Sequence, residues 1–90
     1  MKTVHLLVRG KVQGVYYRAS AKQVADQLDL RGWVRNTPEG HVEIVASGSG
    51  INVDRFIEWC WRGPSSADVK EVMENKWTEP ETANGFIILR

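Results

Sequence analysis

The chain has 90 residues, 42% apolar and 26% charged, with 12 basic against 11 acidic side chains and a net charge of +1. A single domain spanning residues 1–90 is expected, with a core that needs no staples and only modest stability. The near-neutral charge argues against a nucleic-acid-binding domain, no apolar run approaches the ~20 residues of a membrane span, and the lone Cys60 excludes an intramolecular disulfide.

A first strand is expected over Thr3 to Arg9, where Val4, Leu6 and Val8 alternate toward a core. Charges at Lys2, His5 and Arg9 interrupt this start, so no export signal is read there and the cytoplasm is the expected compartment. The segment Gly10-Lys11-Val12-Gln13-Gly14-Val15-Tyr16-Tyr17-Arg18 leads into a helix over about Tyr17 to Leu28, with Tyr17, Ala21, Val24, Ala25 and Leu28 at helical spacing. A second strand, about Gly32 to Asn36, meets the turn Thr37-Pro38-Glu39-Gly40, where proline presets φ and glycine accepts a positive one. The third strand, His41 to Ser47, completes a hairpin.

After Gly48-Ser49-Gly50, Asn52 is expected to cap a second helix whose apolar face is Val53, Phe56, Ile57 and Cys60. Gly63-Pro64 ends it, and Cys60 reads as a buried, inert thiol. A fourth strand from Ala67 to about Trp77 alternates unevenly, as a bulge or partial exposure would make it. Thr78 to Gly85 reads as a polar loop and Phe86 to Leu89 as a short closing strand. This order, β-α-β-β-α-β with an added strand, predicts a two-layer α+β sandwich: an antiparallel sheet with two helices on one face. A strand–helix–strand crossover returns the chain in its original direction, so the carboxyl ends of strands one and two share an edge. The Gly10–Arg18 loop leaves the first of these ends, and Asn36 sits at the second.

That loop is a candidate anion cradle. Glycines let backbone N–H groups converge, and a helix start adds unpaired donors and a positive dipole end. Arg18 is either a phosphoryl-binding fork or a solvated helix-start residue; a cation there is electrostatically misplaced unless an anion shares the site. Asn36 is either a turn residue bonding its own backbone or a water holder, since its amide both donates and accepts. The nucleotide-binding Gly-Lys-Ser/Thr pattern is absent, and neither His5 nor His41 has a partner at metal-ligand spacing. Trp33, Trp59, Trp61 and Trp77 read as packing or half-exposed sheet residues.

Taken together, Gly10-Lys11-Val12-Gln13-Gly14-Val15-Tyr16-Tyr17-Arg18 and Gly32-Trp33-Val34-Arg35-Asn36-Thr37-Pro38-Glu39-Gly40-His41-Val42 with Gly48 resemble the two signatures of the acylphosphatase family. Gly63-Pro64 followed by Ala67 and Val69, and the ending Phe86-x-Ile88-x-Arg90, extend the resemblance over nearly the whole chain. It implies a ferredoxin-like fold and hydrolysis of acyl phosphates to a carboxylate and inorganic phosphate, with no metal, no cofactor and no covalent intermediate. By the same resemblance Arg18 and the backbone N–H groups of Gln13, Gly14, Val15, Tyr16, Tyr17 and Arg18 grip the phosphoryl oxygens, and Asn36 holds the attacking water. The partners expected are a small acyl phosphate and the phosphate product, with no nucleic acid and no membrane, on a monomer. Tyr16 is bulkier than the small residue common at its position, which would narrow or shift access to the site. The competing reading is a non-catalytic ferredoxin-like module that binds phosphate or nucleic acid; the third strand, His41 to Ser47, lacks the aromatics on which bases would stack.

Overall fold

Alternation along the first strand sets the frame. β1 (Lys2–Lys11) buries Val4, Leu6 and Val8 on one side and lies between two antiparallel neighbours, β3 (Val42–Gly48) and β4 (Asp68–Lys76). β2 (Arg31–Asn36) pairs antiparallel with β3, and β5 (Phe86–Ile88) adds beyond it, giving the order β4-β1-β3-β2-β5. The computed structural model describes residues 1–77 and 84–89, so most of the loop expected over Thr78 to Gly85 lies outside the described residues, as does Arg90.

Two helices cover one face of the sheet. α1 (Tyr17–Gln27) buries Tyr17, Ala21 and Ala25, with Val24 and Leu28 partly covered, and α2 (Gly50–Arg62) buries Val53, Phe56 and Cys60. These side chains join Val4, Leu6, Val8, Val34, Ile44 and Phe86 of the sheet in one apolar cluster, as the helical and alternating spacings predict. Among the described residues no helix is long and apolar enough to cross a membrane.

Two expectations need correction. The sheet is mixed rather than antiparallel, because β5 runs parallel to β2 with Gly32 opposite Phe86 and Val34 opposite Ile88. The reason is direction: β4 runs antiparallel to β1 and delivers the chain to the end of the sheet where β2 begins, so the last strand runs alongside β2. The cap of α2 is Ser49 and not Asn52; the helix begins at Gly50, and the Asn52 N–H donates to the Ser49 hydroxyl at 3.3 Å. The Asn52 amide instead donates to the Leu28 carbonyl at 3.0 Å, satisfying an otherwise open acceptor at the end of α1.

The bulge anticipated for the fourth strand lies in its pairing with β1, where the register shifts between Arg9 and Gly10. Gly10 has φ +127, and a Cβ there would collide with the Asp68 carbonyl oxygen, so glycine is required at this bulge.

The opposite face of the sheet carries a polar network under aromatic cover. The His5 imidazole meets Glu43 at 2.7 Å, Arg35 donates to the same carboxylate, and Trp77 stacks on His5 with Trp33 edge-on to it. Burial raises the Glu43 carboxyl pKa, but hydrogen bonds from His5 and Arg35 outweigh that cost and hold it below the ordinary value of 4.5. A lowered folded pKa contributes stability that is complete above 4.5 and is lost as pH falls through the folded value. Glu43→Gln is therefore expected to be less stable at neutral pH and to show a shallower loss of stability in acid, read as the urea midpoint from neutral pH down past the carboxyl range.

Candidate active site

Val42 of β3 pairs with Val8 on one side and Asn36 on the other. The ends of β1 and β2 therefore emerge at the same edge with one strand between them, as the crossover argument predicts. From β1 the chain bends through Gln13 to Tyr16 and enters α1 at Tyr17.

Apolar anchors fix this loop from below. Val12, Val15 and Tyr17 are buried, and the Tyr17 hydroxyl donates to the Cys60 carbonyl of α2 at 2.8 Å. Burial, with Cys60 beside it, raises the Tyr17 pKa well above its ordinary value, so the hydroxyl stays a donor. Cys60 itself is fully buried, and burial pushes its thiol up to about 12 against a smaller opposing effect of the Tyr17 hydrogen bond, in keeping with an inert side chain.

Two side chains brace the loop from its flanks. The Gln13 amide donates to the carbonyls of Thr37 and His41 at 2.9 and 2.8 Å, bolting the loop to the β2–β3 turn beside Asn36. Ser66, on the connection from α2 to β4, donates to the Val15 carbonyl at 2.7 Å. Gln13→Glu replaces a two-proton donor with a carboxylate facing two carbonyl oxygens. It is expected to cost about 1–3 kcal/mol in denaturant-measured stability and to weaken phosphate inhibition together with turnover.

The loop's backbone is turned outward by two residues in left-handed conformation, Gly14 at φ 72 and Tyr16 at φ 64. Tyr16 is the N-cap of α1 yet offers no capping side chain, and the first turn of α1 holds no acid. The Ser20 N–H is the first to reach a backbone carbonyl, that of Tyr16 at 3.0 Å. Among the described residues nothing accepts from the N–H groups of Gln13 through Ala19. A run of open donors at a helix start is an anion-binding arrangement.

Beside this run lies a cavity of about 390 Å³. Its lining joins the buried Val12 and Tyr17 to Arg18 and to the exposed Gly14, Tyr16, Ala19 and Ile88. Arg18 is half-buried there, and no ion pair among the described residues engages its guanidinium. Asn36 follows Val34 by two along β2 and so shares its helix-facing side; its Oδ1 is buried with no hydrogen-bond partner among the described residues. A buried amide oxygen without a partner is costly, and such atoms mark sites kept for a ligand or a water.

Of the residues expected to bind phosphate, Gly14, Tyr16, Tyr17 and Arg18 line one cavity. The side chains of Gln13 and Val15 are engaged in bracing and core packing, which leaves only their backbone N–H groups for a ligand. Asn36 stands at the same sheet edge but is not among the residues lining that cavity. Tyr16 belongs to the cavity lining while the residue stays 80% exposed.

Known proteins are similar to this chain over nearly its whole length. The sequence profile of the acylphosphatase family matches residues 4–88. The acylphosphatase of Methylococcus capsulatus is 58% identical, covering 100% of this chain and 98% of its own. The crystal structure of acylphosphatase from Bacillus subtilis superposes with a TM-score of 0.94 at 31% identity, covering 100% of both chains. The structure of an acylphosphatase from Coxiella burnetii superposes with a TM-score of 0.91 at 38% identity, covering 97% of this chain and 90% of its own. With a ferredoxin-like α+β fold, both signature segments at one sheet edge and relatives matched end to end, the chain belongs to the acylphosphatase family of hydrolases.

Proposed function

We propose that this chain hydrolyses acyl phosphates by direct attack of a water, held by Asn36, on a phosphoryl group gripped by Arg18 and the N–H groups of Gln13 through Arg18. The carrying observation is the run of open backbone donors beside an arginine that no carboxylate among the described residues engages. The overall change is R–CO–O–PO₃²⁻ + H₂O → R–COO⁻ + H₂PO₄⁻, in which the new P–O bond forms to the water oxygen and the P–O bond to the acyl group breaks.

Few groups suffice for this chemistry. The leaving carboxylate departs readily, so phosphoryl transfer needs positioning and charge stabilisation more than acid–base help. Preformed N–H donors and a guanidinium fork supply both to the equatorial oxygens. The buried Asn36 Oδ1 supports a water-holding role, since a bound water would satisfy it. The water's proton passes to a phosphoryl oxygen, a route supported by the lack of any histidine or carboxylate among the described residues of the cavity lining.

The test is incubation with benzoyl phosphate in ¹⁸O-labelled water, following loss of its ultraviolet absorbance and release of phosphate. The expected result is turnover with label in the phosphate and a rate nearly flat between about pH 5 and 8. Phosphate binding without turnover would leave a non-catalytic module, label in the carboxylate would move attack to the acyl carbon, and a steep histidine-like pH profile would require a protein base.

A further inference from the structure

The cavity beside the loop holds more than a phosphoryl group requires, and its excess has a definite chemical character. At about 390 Å³ it lies near the small end of the range for small-molecule sites, roughly 300–1,000 Å³. Among the described residues Arg18 is the only charged one in its lining. The large side chains of its lining left open to solvent are Tyr16, 80% exposed, and Ile88, 41% exposed.

These two come from separately braced elements. Tyr16 is held by its left-handed backbone at the start of α1, and Ile88 by the pairing of β5 with Val34 of β2. A left-handed conformation at a non-glycine residue is strained and persists where the surroundings impose it. Exposing a tyrosine ring from such a position loses hydrophobic stabilisation as well. Both features make sense if the ring serves a ligand.

We propose that Tyr16 and Ile88 form an acyl-group subsite beside the phosphate loop, one that favours flat apolar acyl groups such as aroyl over small or anionic ones. The inference rests on the phosphoryl-binding reading of the loop. In-line displacement puts the leaving carboxylate opposite the attacking water. The acyl group then lies away from Asn36, and the cavity that holds Tyr16 and Ile88 lacks Asn36 in its lining. A flat acyl group stacks on the phenol ring with Ile88 at its edge. An acyl group carrying a second carboxylate meets no second cation among the described residues of that lining, since the guanidinium of Arg18 is taken by the phosphoryl oxygens.

The experiment compares kcat/KM for benzoyl, acetyl and succinyl phosphate in the native protein, Tyr16→Ala, Tyr16→Phe and Ile88→Ser, with the inhibition constant of inorganic phosphate measured alongside. The native protein is expected to prefer benzoyl over acetyl and succinyl phosphate, chiefly through KM. Tyr16→Ala should cut the benzoyl-to-acetyl ratio about three- to tenfold, Ile88→Ser should cut it less, and Tyr16→Phe should retain it. A ratio that Tyr16→Ala leaves unchanged overturns the subsite, whether both substrates fall together or neither does. A drop matched by an equal weakening of phosphate inhibition assigns the ring to the loop and also overturns it. If the native protein turns over none of the three, the hydrolytic reading itself fails, which is a separate result.

Discussion

Replacing Arg18 with alanine is expected to lower kcat/KM for benzoyl phosphate by ~10³ or more, the scale at which an arginine acts in phosphoryl transfer. Inhibition by inorganic phosphate should weaken with it. The fold should survive, because the guanidinium enters no ion pair among the described residues and the side chain is half-exposed. Stability should even rise slightly: a cation in the first turn opposes the helix dipole, an effect of about 0.3–1 kcal/mol. Arg18→Lys should rescue little, since a point charge cannot reproduce the planar fork. Near-normal turnover in Arg18→Ala with an intact circular dichroism spectrum would defeat the proposed site. The paired readout matters, because lost activity with lost structure would say nothing about the arginine.

Asn36→Ala is expected to reduce kcat by ~10²–10³ with KM within about twofold, as befits a group acting on the water rather than on the bound substrate. Its thermal midpoint should hold or rise, because the substitution removes a buried oxygen that has no partner among the described residues. An unchanged kcat with a raised KM would make Asn36 a substrate-binding residue instead. A turn role alone predicts a third pattern: lower stability with turnover intact. Steady-state kinetics and a melting curve on one variant therefore separate the readings that sequence leaves open.

Both segments that build the site are legible in the sequence because each is local. A strand followed by a glycine-containing loop and an amphipathic helix is written in consecutive residues, and the crossover rule alone brings Asn36 to the same edge. What escapes such a reading depends on contacts between distant positions. The bond from Ser66 to the Val15 carbonyl joins residues 51 apart, and serine in a loop carries no signal of its destination. Gln13 reads as part of the phosphate loop, yet its amide spans to Thr37 and His41; only the placement of the turn reveals the acceptors. The α2 cap goes to Ser49 over Asn52 because both are good capping residues and helix length is settled by packing of Val53 and Phe56. The parallel course of β5 follows from where β4 ends, a property of the assembled sheet rather than of Phe86 to Ile88.

The buried sulfur beneath the loop has a practical consequence. Cys60 is sealed from solvent, and its own carbonyl receives the Tyr17 hydroxyl one residue before Arg18. An alkylating reagent can reach it only when α2 lifts from the sheet, and that opening also breaks the tie beneath Arg18. The rate of modification by a small maleimide is thus a clock for excursions that dismantle the proposed phosphate grip. Its slowing by added orthophosphate would measure how strongly ligand occupancy keeps the molecule closed.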